Sequence, residues 1–465
     1  MAMTTEKRLA RESRELERRK QQLRKPHPKG YLVYLLVVLS IVYIVDEVTS
    51  AMGSSMQSEV VTEFFVKGMG MEFNTGLASF TAMSAPLYSM MILMPFYKSL
   101  ADKYGRKLFL VINTVGMGVG MGICMGATGP VVYLLGMLVI NFVMYNDMQV
   151  MYVMECAPEK HRAKLTSLTK AVALLGVTAI PFLRDMFMGN DGTQWRKVFL
   201  IPAIVAVVVG IAAIFLMDET PVFLARRVAW LEMSEEERQA KLARDKKAAD
   251  ESKGGVGKAL KFIMKHKQIR AVAFCAMIFM FSTGVTGYYE SIMKTGGMTT
   301  AEVTKAMYYI PFCNALMTAV GGFITDALGR KKSAILLSVV AFVGLTLFVL
   351  AANFGMNPAI VGISYGFFIG GLWSVSDMLC LIISGESTPT HLRASVLGSM
   401  SLLVGIGSMG SSIAIMVGML FVKSIGLLSL CICGPFMLLA LIVLITKVHE
   451  TKDVDLNTVT GAEWD

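Results

Sequence analysis

Charge is scarce in this chain of 465 residues. Asp, Glu, Lys and Arg together make up 17% of it, where an ordinary soluble domain carries about 25%. With 54% apolar residues and a mean hydropathy of +0.59, that shortage excludes a soluble two-domain enzyme and a disordered chain. Cysteine is sparse and unpatterned. Cys124, Cys156, Cys275, Cys313, Cys380, Cys431 and Cys433 lie in or beside apolar stretches with no framework spacing, so they read as reduced small hydrophobes and exclude a secreted disulfide scaffold. The five histidines (His27, His161, His266, His391, His449) all fall outside the apolar runs, in segments expected to be cytoplasmic, which argues against a haem or a membrane di-metal centre. No metal set, cofactor or nucleophile triad is expected, and the chain does not read as an enzyme. GGVGK at 254–258 lacks the upstream glycine and the following Ser/Thr of a phosphate loop.

What the sequence does contain is long apolar runs, continuous rather than alternating, which excludes an outer-membrane barrel. They occur at about 31–52, 73–97, 108–127, 130–154, 165–187, 197–217, 270–291, 304–325, 333–352, 358–384, 394–419 and 423–446, twelve in all. Each is close to the roughly 20 residues that cross a bilayer. The fifth carries Lys170 and ends at Arg184 and Asp185. Basic residues gather after even-numbered runs: Lys98, Lys103, Arg106 and Lys107; Lys160, Arg162 and Lys164; Arg330, Lys331 and Lys332; Arg393. The long link 218–269 is also basic, whereas the 3–4 and 9–10 links hold no Lys or Arg. The positive-inside rule then places both termini and the long link in the cytoplasm, as an even number of spans requires. The net charge of +10 is therefore read as topology rather than as nucleic-acid binding.

These features divide the chain into a basic segment 1–30, a six-span bundle 31–217, a cytoplasmic linker 218–269, a second bundle 270–447 and a tail 448–465. The opening segment, EKRLARESRELERRKQQLRK, is too polar to enter lipid and is not expected to be a cleavable leader. It reads as a topology determinant, able to touch anionic headgroups at about 1 kcal/mol per charge. In the linker, Ser234 and Glu237 have capping-box spacing and Glu237–Lys241 is a helix-stabilising pair. A short helix followed by a flexible SKGGVGK stretch is expected there.

The two halves repeat each other. LADKYGRK after the second run matches ITDALGRK after the eighth, with Asp102 and Asp326 separated by 224 residues. ECAPEKHRA after the fourth matches ESTPTHLRA after the tenth, with Glu155/Glu386, Pro158/Pro389 and Arg162/Arg393 all offset by 231. DETPVFL after the sixth matches HETKDVDL after the twelfth, with Glu219/Glu450 again offset by 231. Three charged motifs, each in the same place in both halves, mark an internal duplication.

The paired D-x-x-G-R-K loops resemble the signature of the major facilitator superfamily. E-x-x-P-x-x-x-R, with E-T-P and E-T-K, is similar to its sugar porter branch, over residues 31 to about 457. The resemblance implies an all-α membrane protein, a monomer with twelve transmembrane helices in two pseudo-symmetric six-helix bundles. It also implies a mid-membrane solute site and alternating access. Lys98 stands where the first loop of the family has glycine, as Gly322 does in the second half, and the family's span-four arginine falls on Leu135.

The duplicated charges suit an inner gate. Asp102, Glu155 and Glu219 can pair with Arg106 and Arg162, and Asp326, Glu386 and Glu450 with Arg330 and Arg393, through charge-assisted bonds. If the pairs form in one state only, they bias a two-state equilibrium; otherwise they anchor helix ends at the headgroups. Within the runs, Asp46, Glu47, Asp147, Lys170 and Asp377 are ionisable, and such groups cost about 2.5–3.5 kcal/mol to insert unless they face a cavity or a partner. By resemblance, Asp46 occupies the aspartate position of proton-coupled sugar porters, with Glu47 and Asp147 as further proton candidates. Also by resemblance, Lys170 occupies the place of a sugar-binding glutamine, which would favour an acidic solute or pairing with Asp46, Glu47 or Asp147. Snorkelling to the cytoplasmic face is the alternative. FSTGVTGYYE nominates Thr283, Thr286, Tyr288 and Tyr289, and the tenth run adds Trp373, Ser374 and Asp377. In the third run, Gly118, Gly122 and Gly126 share a helix face for close packing.

The expected function is secondary active transport of a small polar solute, a sugar or sugar-like compound by resemblance. It would proceed by proton-coupled symport in the cell membrane, with lipid, solute and protons as the only partners. Organic or aromatic acid symport is the alternative. A non-transporting nutrient sensor, or a drug or cation exporter, is also compatible with the fold. A sensor would call for a long signalling extension, and 18 residues follow Lys447.

Overall fold

The computed structural model describes residues 5–26, 28–88, 94–144, 148–158, 162–189, 192–253, 255–452, 454 and 459–465, and among them there is no strand. Among the described residues, eleven helices are long and apolar enough to cross a bilayer. The first is Tyr31–Ser55. The third to sixth are Arg106–Met125, Pro130–Cys156 (described on either side of 145–147), Leu165–Phe187 and Trp195–Leu216. The seventh to ninth are Lys267–Gly287, Thr300–Leu328 and Arg330–Asn353, and the last three are Pro358–Glu386, Ser395–Gly418 and Ile425–Lys447. The second span is helical at Phe73–Tyr88 and Met94–Tyr104, with 89–93 outside the described residues. The chain is thus an all-α membrane protein with the twelve-helix fold.

Local chemistry starts these helices. Thr299 and Glu302 form a reciprocal capping box before the eighth span, Asn357 caps the tenth with Pro358 in its first turn, and Ser424 caps the twelfth. Regular α geometry is interrupted after the first span by a π turn at Thr62–Lys67, at the end of the seventh by a 3₁₀ stretch at Met280–Gly287, and in the tenth by a π turn at Met378–Ile383. Such interruptions cluster at functional segments of membrane helices.

Contacts gather the chain into two units. The first holds residues 1–50, 85–173 and 199–250, and the second 51–84, 174–198 and 251–465. In the first unit, the core is built from Leu35, Leu39, Tyr97, Leu110, Tyr152 and Met217 with their neighbours. Its third span is pressed between two others. A Cβ on Gly118 would lie 2.7 Å from Val207 Cγ2 and 2.8 Å from the Ala203 carbonyl oxygen, and one on Gly120 would lie 3.0 Å from the Gly136 carbonyl oxygen. Gly122 has nothing within 4 Å, and Gly126 meets only carbonyls of its own helix. The expected common face of 118, 122 and 126 therefore does not hold. A helix with two neighbours uses two faces, 118 toward the sixth span and 120 toward the fourth. Accordingly, Gly118→Ala is expected to cost about 1–3 kcal/mol through overpacking, and Gly122→Ala to be neutral or mildly stabilising. Thermal unfolding in detergent distinguishes the two.

Also in the first unit, the helix Thr5–Arg24 docks on Pro221–Glu232 and its successor through Glu15–Arg227 (2.9 Å), Glu12–Arg238 (2.8 Å) and Lys20–Glu232 (2.8 Å). The opening segment thus spends part of its charge on the linker. The Ser234–Glu237 capping box is present, with bonds of 2.8 and 3.2 Å. Of the stretch 252–258 expected to be flexible, Ser252 and Lys253 end the helix Glu235–Lys253, residue 254 lies outside the described residues, and 255–258 open a helix of the second unit, Gly255–Lys265. Its apolar stripe of Ala259, Phe262 and Ile263 is buried, and that burial outweighs the poor helix propensity of its glycines.

Candidate functional site

The duplicated motifs fold into two matching ionic clasps. In the first unit, the Arg106 side chain is 2% exposed; its guanidinium reaches Asp102 at 2.7 Å and Glu155 at 3.2 Å. Glu219 accepts from the backbone N–H groups of Arg106 (3.1 Å) and Lys107 (3.2 Å), and the Thr220 hydroxyl donates to Glu155 at 2.5 Å. In the second unit, Arg330 reaches Asp326 at 3.8 Å and Glu386 at 3.1 Å. Glu450 accepts from the backbone of Arg330 (2.8 Å) and Lys331 (3.1 Å), and Thr451 donates to Glu386 at 2.5 Å. Each of these bonds in one half has its counterpart in the other. Arg393 donates to the carbonyls of Gly385 and Thr388, so it braces the end of its own loop. The side chain of Arg162 lies outside the described residues.

Each clasp depends on a glycine. Gly105 (φ +119°) and Gly329 (φ +90°) occupy backbone conformations that L side chains rarely adopt. A Cβ at Gly105 would collide with the Glu219 carboxylate, and one at Gly329 would lie 2.6 Å from Glu450 Oε2. Glycine therefore lets a carboxylate sit on the first N–H groups of the following helix, where the helix dipole favours it.

The two carboxylates differ in solvation. Burial pushes the Glu219 carboxyl above its ordinary range despite three backbone donors. Glu450 is less buried, and the N–H groups of Arg330, Lys452, Lys331 and Thr451 outweigh that burial and hold it below the ordinary range. A raised carboxyl costs folding stability as pH rises through its range, and a depressed one loses stability as pH falls through its range. Melting temperatures measured from about pH 4 to pH 8 should therefore diverge in opposite senses. Relative to Glu219→Gln the parent loses stability toward high pH, and relative to Glu450→Gln it loses stability toward low pH.

Within the first unit's spans, Asp46 is buried and accepts from Gln149 Nε2 at 2.9 Å. Gln149 lies on the fourth span, so a neutral amide bonds the aspartate from the helix on which the sugar porter branch carries arginine. Leu135, at the aligned arginine position, is 52% exposed and points away from the core. Glu47 and Lys170 are half-buried on the first and fifth spans. Asp147 lies outside the described residues.

In the second unit, the polar stretch of the seventh span turns inward. Thr283 donates to Ser408 at 2.7 Å and Thr286 to the Thr283 carbonyl, while the Tyr288 hydroxyl meets Thr81 at 3.2 Å. Tyr289 stacks on Tyr365 with ring centroids 4.8 Å apart, and its hydroxyl is 2.6 Å from Ser55 Oγ. On the tenth span Ser374 is half-buried, whereas Trp373 and Asp377 are exposed.

The same unit holds a cluster that the motifs did not single out. Arg184, with no exposed side-chain surface, reaches Glu59 at 3.3 Å and Glu290 at 3.1 Å. It also donates to Thr304 Oγ1 at 3.1 Å and to the Ser55 carbonyl. Glu290 is held from its other oxygen by the Ser58 N–H at 2.9 Å, and Lys294 stands 3.4 Å from Glu59. The end of the first span, the fifth and the seventh are thereby tied together within the second unit.

The family described as Major Facilitator Superfamily matches residues 35–410 of this chain. The glucose transporter GlcP of Staphylococcus epidermidis is 26% identical over 245 residues, covering 50% of this chain and 54% of that protein. Plastidic glucose transporter 4 of Arabidopsis thaliana is 22% identical over 298 residues, covering 56% and 54%. The chain thus spans about half the length of these curated relatives. The crystal structure of a D-xylose-proton symporter shares the fold, with a TM-score of 0.66 at 18% identity over 91% of this chain and 99% of that one. Twelve spans, duplicated D-x-x-G-R-K clasps and a family match over most of the sequence lead to one assignment: the chain belongs to the Major Facilitator Superfamily and resembles its sugar porter branch.

Proposed function

We propose that this protein is a proton-coupled symporter of a sugar or sugar-like solute. It works as a monomer of two six-span halves (31–217 and 270–447) that rock about a mid-membrane site, in the cell membrane with both termini cytoplasmic. The observation that carries this reading is the pair of clasps, Arg106–Glu155–Glu219 and Arg330–Glu386–Glu450, built alike in both halves. Ionic bonds between helix ends are suited to a gate because they form or break as a set and so bias two discrete states. The relatives named for glucose and xylose support the solute class.

For coupling, the Asp46–Gln149 pair has suitable chemistry. A guanidinium only donates, whereas an amide can donate its NH₂ to a carboxylate or accept the O–H of a carboxylic acid through its carbonyl. Gln149 can therefore follow Asp46 through both protonation states by turning its amide. A second reading, symport of an organic acid, is favoured by the half-buried Lys170 within the fifth span, which would meet a solute carboxylate. Proteoliposomes loaded for uptake of radiolabelled D-glucose, D-xylose and benzoate, with and without a proton uncoupler, separate the two. Sugar accumulation that collapses with the uncoupler supports the first reading, accumulation of benzoate alone supports the second, and movement of none of them contradicts both.

A further inference from the structure

The two clasps are made of the same bonds but are not equally dry. The side chain of Arg106 is 2% exposed and that of Arg330 20%, and Glu219 is more buried than Glu450. The difference arises outside the duplicated motifs, at the helix Thr5–Arg24. We infer that this helix is a brace on the first clasp, with Arg19 as its positioning residue, so that the first clasp opens less often than the second and limits opening of the inner gate. The inference rests on the reading of the clasps as gates.

Phe223 is the point of contact. It follows Glu219 by four residues and is buried, and its ring lies against the glycine turn of the clasp, where a Cβ on Gly105 would be 3.4 Å from Cε1. The guanidinium carbons of Arg106 and Arg19 stand 5.8 and 5.6 Å from the centre of that ring. Both are close enough to be attracted by its quadrupole, so one aromatic ring holds a cation of the clasp and a cation of the opening helix. The aligned position in the second half, 231 residues on, is Val454, which has no ring to offer. Arg19 also places positive charge near the Glu219 carboxylate, opposing the upward push of burial. The helix itself is held by Glu15–Arg227, Glu12–Arg238 and Lys20–Glu232, and the residue after it by Lys25–Asp218 at 2.7 Å, next to Glu219. Each of these pairs has a part-exposed member, and such pairs are individually weak and screened by salt. Together they keep the helix docked and leave it able to detach.

Amide hydrogen exchange of the full-length protein in detergent tests the brace. The N–H groups of Arg106 and Lys107 are bonded to Glu219 and those of Arg330 and Lys331 to Glu450, so each pair exchanges when its carboxylate leaves. In the parent the first pair is expected to exchange at least tenfold more slowly than the second. Arg19→Gln, which removes the cation from Phe223, and Glu15→Arg, which breaks the docking, should each reduce that ratio at least fivefold by speeding the first pair alone. Adding Arg227→Glu to Glu15→Arg re-forms the ion pair with its signs exchanged and should restore the ratio, which general destabilisation would not do. Melting temperatures show which variants fold, and either release variant alone decides the question. If neither folds, the parent at about 0.5 M salt, where part-exposed ion pairs are screened, takes their place with the same expectation. Equal exchange at the two clasps of the parent, or an unchanged ratio on release, overturns the inference and leaves sugar symport standing. Failure of the parent to take up either sugar, with the exchange pattern present, overturns symport and leaves the brace.

Discussion

Arg184→Met is expected to be the most damaging single substitution in the chain. The guanidinium is fully buried between Glu59 and Glu290, and removing it leaves two carboxylates facing each other out of water. Breaking a buried ion pair from one side costs about 3–5 kcal/mol, enough to lower the melting temperature sharply and deplete folded protein from the membrane. The same reasoning predicts a rescue. Glu59→Gln and Glu290→Gln introduced together with Arg184→Met remove the uncompensated charges, so the triple variant should recover a large part of the loss, since replacing a whole buried ion cluster by neutral groups is often tolerated. Thermal unfolding in detergent reads both outcomes. A single variant within about 0.5 kcal/mol of the parent, the range of an ordinary surface substitution, would show that the cluster does not tie the three spans together.

Asp46→Asn is expected to have the largest effect on activity. Asparagine fills the same space and can still be bonded by Gln149, but it does not titrate. Accumulation of solute driven by a proton gradient should disappear, along with its pH dependence, while exchange of labelled for unlabelled solute persists. That split separates a coupling role from a structural one, because a residue that merely holds the first and fourth spans together would impair both modes. Uptake and counterflow measured on the same proteoliposome preparation make the comparison.

How much of this was legible in the sequence depends on where the partners of each residue lie. The clasps were legible because their chemistry is local and doubled. Asp102 and Arg106 are four residues apart on neighbouring turns, the glycine between them is required by the backbone, and the second copy repeats all of it. The Arg184 cluster was not. A lone arginine near the end of an apolar run looks like the end of a span, and its partners Glu290 and Glu59 lie 106 and 125 residues away. Spacing along the chain does not encode which helix will stand beside which, so nothing local marked the three as a set. Its only signal was an arginine inside an otherwise crossing-length segment. Gln149 escaped for a related reason. Resemblance drew attention to a missing arginine at Leu135, whereas the side chain that reaches Asp46 is an uncharged residue fourteen positions further along the same helix. At Gly255–Lys265 the glycines suggested a flexible joint, but the apolar stripe of Ala259, Phe262 and Ile263 decided the outcome.

The central claim is that the duplicated clasps are gates that open and close together with solute movement. The most direct measurement is the distance between spin labels placed on the two clasp loops, at Lys103→Cys and Lys332→Cys, both exposed positions. Two distance populations are predicted, with Arg106→Gln and Arg330→Gln together shifting the balance toward the longer one and solute redistributing it. A single distance that neither the neutralised arginines nor the solute changes would contradict the account.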